Sequence, residues 1–250
     1  MNPKSSSSGD RRVGLVTGAS RGIGARVCER LASGGWDLTI SARDQAALDV
    51  RANELRERYS TTVNVVCADM ADADSLDALV SAHSREFETL DGLVLNAGMG
   101  RKGRISDVPV HRLDRLYEVN VRAPYILMQS LLPLLRSTAA ARGSAKVIAL
   151  ASITGVYPEA ELSAYGATKA ALISLCETFN LEESEHGVSA STVSPGYVDT
   201  DMSSWTGIPP REMITADDVA SVVANITELS RYAVIPSVVM TRPGSTILRA

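Results

Sequence analysis

The chain is poor in the residues that mark specialised environments. Its three cysteines, Cys28, Cys67 and Cys176, lie far apart in 250 residues, with neither the spacing of a metal site nor the density of a disulfide framework. They read as reduced core cysteines in a cytoplasmic protein. The three histidines, His83, His111 and His186, are equally scattered, and no metal site is expected. No apolar run approaches the roughly 20 residues that span a bilayer. The opening segment, residues 1–10, is polar, has no signal-peptide core and reads as a mobile tail. Charge of one sign is also missing: 25 Lys and Arg stand against 29 Asp and Glu, a formal charge of -4. A basic surface for nucleic acid is therefore not expected.

What is present is an ordinary globular composition, 45% hydrophobic and 22% charged. Residues 11–250 carry no linker and suit one large domain. Short apolar segments around Val13, Leu38, Val65, Leu93, Val147, Ser191 and Val234 alternate with longer amphipathic stretches. That alternation predicts an α/β fold, a doubly wound parallel sheet of about seven strands with helices on both faces. The strand ends after Thr17, Ile40, Asn96, Leu150 and Val193 would then line one crevice, where ligands of such sheets bind.

Ser152, Tyr165 and Lys169 are the chemically suggestive residues. If Ser163 to Glu185 is helical, the step from Tyr165 to Lys169 puts phenol and ammonium on one face. A free tyrosine, with a pKa of about 10, is a poor base. Lowering it by roughly three units requires about 4 kcal/mol of preferential phenolate stabilisation, for which a desolvated Lys169 ammonium, helped by the positive charge of an oxidised cofactor, is of the right sign and order. Ser152, at the end of the preceding strand, would offer its hydroxyl to the substrate oxygen while Tyr165 moves the proton. A tyrosine and a lysine four apart also arise by chance, so this pattern needs a second signal.

That signal lies upstream. The apolar run Val13-Gly14-Leu15-Val16-Thr17 leads into Gly18-Ala19-Ser20-Arg21-Gly22-Ile23-Gly24, immediately before a helical pattern. A strand, a glycine turn and a helix N-terminus make a dinucleotide cradle: Gly18 for the turn, Gly22 for backbone approach to pyrophosphate, Gly24 for helix packing. At the end of the second strand, where a carboxylate would hold an NAD ribose, stand Ala42 and Arg43. Arg43 and Arg21 could converge on the 2′-phosphate of NADP, so NADP(H) is preferred over NAD(H). Asp44 reads as a cap for the next helix.

Together these motifs resemble the short-chain dehydrogenase/reductase family, and in particular its NADP-dependent carbonyl and 3-oxoacyl-carrier-protein reductases. The pattern comprises Thr17 to Gly24, Asn96-Ala97-Gly98, Asn120, Ser152, Tyr165 with Lys169, and Pro195-Gly196 followed by Thr200, and it covers nearly the whole chain. The resemblance implies a Rossmann fold and carbonyl–alcohol redox chemistry. It places Asp69 beside the adenine, though a helix cap is an equal reading of that residue. Asn96, Ala97 and Gly98 would lie along the cofactor, and Pro195, Gly196 and Thr200 over the nicotinamide. Asn120 would bend a helix and hold water near Lys169, which would bind the ribose as well as act on Tyr165. The family also implies a homodimer or homotetramer through the helices carrying Asn120 and Tyr165.

The substrate is less legible. A short lid near 201–214 includes Trp205, which could cover a hydrophobic substrate or merely pack the lid, and Tyr157, Glu159 and Glu161 could face the same site. A 3-oxoacyl thioester or a hydrophobic ketone is expected. The run Tyr232 to Met240 reads as a final strand, but lacks the glycine pair that follows it in many 3-oxoacyl reductases. An NAD-linked alcohol dehydrogenase and a non-catalytic NADP-binding sensor or regulatory protein are the alternatives.

Overall fold

The computed structural model describes residues 11–100 and 102–244; the expected N-terminal tail lies outside them. Short runs rich in β-branched and aliphatic residues form the strands: β1 (Val13–Thr17), β2 (Asp37–Ala42), β3 (Val63–Cys67), β4 (Gly92–Leu95), β5 (Ala145–Leu150), β6 (Val188–Pro195) and β7 (Ser237–Met240). They make one seven-stranded sheet of order β3-β2-β1-β4-β5-β6-β7, every neighbouring pair parallel. The order reverses between β1 and β4, which opens a crevice at their carboxyl ends.

The crossovers are α1 (Gly22–Ser33), α2 (Gln45–Tyr59), α3 (Ala73–Glu86), α4 (Val110–Tyr117), α5 (Ala123–Arg142), α6 (Ser163–Glu183) and α7 (Ala216–Thr227). Successive strand side chains point to opposite faces, so each strand feeds two cores. Val16, Val94 and Ile148 pack with Val27 and Leu31 of α1 and Val219 and Val223 of α7. Leu15, Leu93 and Val147 pack with Leu127 and Leu131 of α5 and Leu172 and Cys176 of α6. Because both faces are covered, β1, β2, β5 and β6 are buried throughout.

Three expectations need correction. The final strand begins at Ser237 rather than Tyr232: residues 230–233 form a turn closed by Ala233 N–H donating to Ser230 O, and Pro236 has no N–H to give a ladder. Helix α6 ends at Glu183, with one 3-10 turn at Ser184–His186 before Gly187 in the left-handed region. Cys67 is not in the core. It is the last residue of the edge strand β3 and exposed, whereas Cys28 and Cys176 are buried.

Candidate active site

The crevice is organised first by the turn after β1. Gly18 has φ +65°, and a Cβ there would lie 2.8 Å from Asn96 Nδ2 and 2.9 Å from Ala97 Cα. Only glycine allows both that conformation and that approach. The ends of β1 and β4 are then tied together. Thr17 Oγ1 accepts from the N–H groups of Asn96 (3.1 Å) and Ala97 (3.0 Å), and Asn96 Nδ2 donates to the carbonyls of Thr17 (2.9 Å) and Gly18 (3.0 Å). Ala19 N–H donates to Ser41 O at 3.0 Å, joining the turn to the end of β2.

Helix α1 starts in this turn, preceded by Ser20 and Arg21 and beginning Gly22, Ile23, Gly24. No side chain caps it and its first turn has no acidic residue. By contrast Asp44 caps α2, Asp72 caps α3 and Thr215 caps α7. Unpaired N–H groups at a helix start, with glycine in front of them, fit the pyrophosphate of a dinucleotide. Thr200 lies against the same turn: a Cβ on Gly22 would be 3.3 Å from Thr200 Cγ2.

On the adenosine side, Asp44 accepts from Ala47 N–H at 3.0 Å as the cap of α2, which leaves Ala42 and Arg43 at the end of β2. Asp69 does not cap α3, a role taken by Asp72. It accepts from Ala71 N–H (3.0 Å) and Arg115 Nη2 (2.8 Å). The Ala71 N–H first, and then Arg115 and Arg43, hold its carboxyl below the ordinary aspartate value against the opposing effect of burial. Arg21 turns toward Asp201, 2.8 Å away across the mouth of the cleft.

The second centre is built where β5 meets α6. Ser152 is buried at the start of a 3-10 turn, Ile153–Gly155, and its Oγ accepts from Thr154 Oγ1 at 3.0 Å. Tyr165 and Lys169 share a face of α6, with Lys169 Nζ 5.7 Å from the Tyr165 ring centroid. Lys169 is 4% exposed and donates to Leu150 O at 2.7 Å. Burial pushes its pKa down to about 8.

The same desolvation acts against the expected lowering at Tyr165. Burial raises the phenol's pKa above its ordinary value, and the neighbouring Ser152 hydroxyl opposes that shift only in part. The Lys169 ammonium is directed at Leu150 O.

Asn120 sits in a π-helical turn, Glu118–Arg122, between α4 and α5, and is fully buried. Its Oδ1 accepts from Met99 N–H (2.9 Å), and its Nδ2 donates to Met99 O (2.9 Å) and Thr168 Oγ1 (3.0 Å). Such a bulge re-aims a helical side chain. Gly98 separates it from Lys169, and Gly100 lies against the Tyr165 ring: a Cβ on Gly100 would be 3.5 Å from Cδ2 and Cε2 and 3.8 Å from Met202 Sδ.

Beyond β6, Gly196 N–H donates to Met240 O at 2.8 Å, fixing the Pro195-Gly196 turn to β7. A bridge between Val198 and Ile214 closes the following segment into a loop of two 3-10 turns, Asp201–Thr206 and Pro210–Glu212. Trp205 makes an edge contact with Tyr197 at 5.9 Å between centroids and lies under Lys102 Nζ at 5.1 Å. Thr168, Asp201, Arg115 and Tyr197 were not singled out as site residues in the sequence. Their signal is tertiary, since each acts on a residue distant in the chain.

Among the described residues no helix is long and apolar enough to cross a membrane, and no three His, Cys, Asp or Glu residues are grouped to hold a metal ion. Residues 12–207 match the model of the short chain dehydrogenase family. The chain is 31% identical over 212 residues to an uncharacterized oxidoreductase of Staphylococcus epidermidis, a match covering 85% of this chain and 89% of that one. Its structure resembles an alcohol dehydrogenase of the archaeon Thermococcus sibiricus complexed with 5-hydroxy-NADP, with TM-score 0.86, 25% identity, and coverage of 94% and 97% of the two chains. It also resembles a 3-ketoacyl-(acyl-carrier-protein) reductase of Brucella melitensis complexed with NADH, with TM-score 0.83, 26% identity, and coverage of 92% and 96%.

Proposed function

The chain belongs to the short-chain dehydrogenases, and from that premise we propose that it is an NADPH-dependent oxidoreductase interconverting a carbonyl and an alcohol. The observation that carries the reading is the convergence of Tyr165, Lys169 and Asn120 on the strip Gly98–Gly100, beside the glycine turn, with the Ser152 hydroxyl against the Tyr165 phenol. NADPH, when bound, supplies the hydride. The protein's part is to hold the reacting groups and manage one proton.

In the reducing direction Tyr165 is the proton donor. Its raised pKa keeps the phenol protonated at neutral pH, the state a donor requires. Ser152 donates its hydroxyl proton into a hydrogen bond to the carbonyl oxygen, polarising it and fixing its distance from the phenol. Lys169, whose pKa near 8 allows proton exchange around neutrality, would release Leu150 O to take a ribose hydroxyl and return a proton toward Tyr165. Asn120, held on both sides by Met99, would position the water that refills the path.

The backbone N–H groups at Gly22, Ile23 and Gly24 would hold the pyrophosphate, with Ser20 at the turn and Asp69 near the adenine. Asn96, Ala97, Gly98, Pro195, Gly196 and Thr200 would line the remaining length of the cofactor. The choice of NADPH rests on Arg43 at the end of β2, with no carboxylate available there because Asp44 caps α2. Arg21 would join it on leaving Asp201. Relatives in structure carry either an NADP derivative or NADH in their printed descriptions, so the preference needs its own test. Following NADPH and NADH consumption against ketones, aldehydes and 3-oxoacyl thioesters is that test. Tight NADPH binding with no turnover of any of them would favour a sensor instead.

A further inference from the structure

Glu159 lies between the turn carrying Ser152 and the helix carrying Tyr165, and its carboxylate is only half used. Oε1 accepts a hydrogen bond from the Tyr197 hydroxyl. Oε2 is shielded from solvent and has no hydrogen-bond partner among the described residues. Tyr197 follows the Pro195-Gly196 turn and is braced by the edge of Trp205 at 5.9 Å, so the pair joins segments that border the reacting centre. A shielded carboxylate oxygen without a donor is costly, and the cost is recovered when a ligand brings one.

The neighbouring acid behaves differently. Glu161 is paired with Lys102 at 2.8 Å and approached by Arg104 at 3.8 Å, and these cations hold its carboxyl below the ordinary glutamate value. Glu159 forms no ion pair among the described residues. Lys102, neutralised by Glu161, stands over Trp205 at 5.1 Å, and the Arg242 guanidinium lies 6.0 Å from the Tyr197 ring. A neutral hydroxyl can donate to Oε2 without the desolvation cost of bringing an ammonium into that shielded position.

We propose that Glu159 is a substrate-binding residue whose free carboxylate oxygen accepts a hydrogen bond from a substrate hydroxyl, so that the substrate is a hydroxylated ketone, or its polyol product, in place of a plain oxoacyl chain. This rests on the redox reading above and names its substrate class. Tyr197 is the positioning residue that aims the carboxylate. An apolar chain in the same place would leave Oε2 unpaired, and a site built for a hydroxyl discriminates against analogues that lack it.

The test compares an alkanone, its hydroxymethyl-ketone counterpart, a polyhydroxylated ketose and an amino ketone of equal carbon number, as kcat/KM with NADPH and with NADH. Calorimetry measures binding of the corresponding polyol and simple alcohol to the protein loaded with NADP+. The expected preference of the wild type for the hydroxylated ketone is about 10- to 100-fold, the worth of one hydrogen bond to a charged acceptor. Glu159→Ala should collapse that ratio, and Glu159→Gln, which keeps a carbonyl acceptor, should retain part of it. Polyol binding should show the same dependence on Glu159. If Glu159→Ala fails to bind NADPH, the wild-type ratio and Glu159→Gln decide the matter. Equal rates for the two ketones, a ratio that survives in Glu159→Ala, a preference for the amino ketone, or neither turnover nor binding of hydroxylated ligands would overturn the proposal. Glu159-dependent polyol binding without turnover with either nicotinamide would support it while defeating the redox reading.

Discussion

Lys169 and Asn120 face one another across Gly98. A Cβ built on Gly98 would lie 3.3 Å from Lys169 Nζ and 3.4 Å from Asn120 Oδ1, so the absent side chain is the space between an ammonium and an amide oxygen. Asn120 cannot retreat far, because Met99 bonds it through both N–H and C=O. Gly98→Ala should therefore displace Lys169, the residue with more freedom. Turnover is expected to fall about tenfold or more, since small displacements at reacting centres are costly. Unchanged kcat in a folded Gly98→Ala protein would remove this pair from the proton path.

Lys169 is buried at a cost. Its folded pKa of about 8 lies below the ordinary value of 10.5, so between these values the unfolded chain binds more protons. Stability should then rise with pH through that window, and the full penalty applies below about pH 8. Lys169→Met removes the charge and should stabilise the cofactor-free protein at pH 7 by up to about 3 kcal/mol, less the lost bond to Leu150 O. That gain should vanish above about pH 10.5, while turnover is lost at every pH. Denaturant unfolding of both proteins across pH reads this directly; a variant destabilised to the same extent at all pH values would contradict it.

Arg43 is the cofactor discriminator in this scheme. Arg43→Ala should weaken NADPH by about 10- to 100-fold, as expected for loss of charge-assisted hydrogen bonds to a phosphate, and change NADH binding by no more than about twofold. Fluorescence titration with both nucleotides distinguishes the outcomes. Equal weakening of the two would remove the 2′-phosphate from the argument.

The sequence showed the scaffold because its signals are local. Gly18, Gly22 and Gly24 sit within one turn, and Tyr165 and Lys169 are one helical step apart, so short-range rules suffice. The partners of Asn120 were hidden, because Met99 and Thr168 are 21 and 48 residues away. Arg21 was expected beside Arg43 but meets Asp201, 180 residues on. Cys67 looked like a core residue because nothing local reveals that β3 is the sheet edge. The opposing effect of burial at Tyr165 was hidden for a related reason: charge can be counted along a chain, whereas desolvation depends on what packs around the phenol. Glu159 was visible as one of several residues that could face the substrate, but its half-satisfied carboxylate depends on Tyr197, 38 residues away.

The most direct measurement compares wild type with Tyr165→Phe in NADPH affinity and in single-turnover reduction of a ketone. If Tyr165 supplies the proton, Tyr165→Phe should bind NADPH within about threefold of wild type and reduce the ketone at least about 100-fold more slowly. Wild-type reduction should also weaken as alkaline pH deprotonates the phenol, whose pKa burial raises. A Tyr165→Phe protein that binds NADPH normally and reduces the ketone at the wild-type rate would contradict the proton-donor role on which the proposed reaction depends.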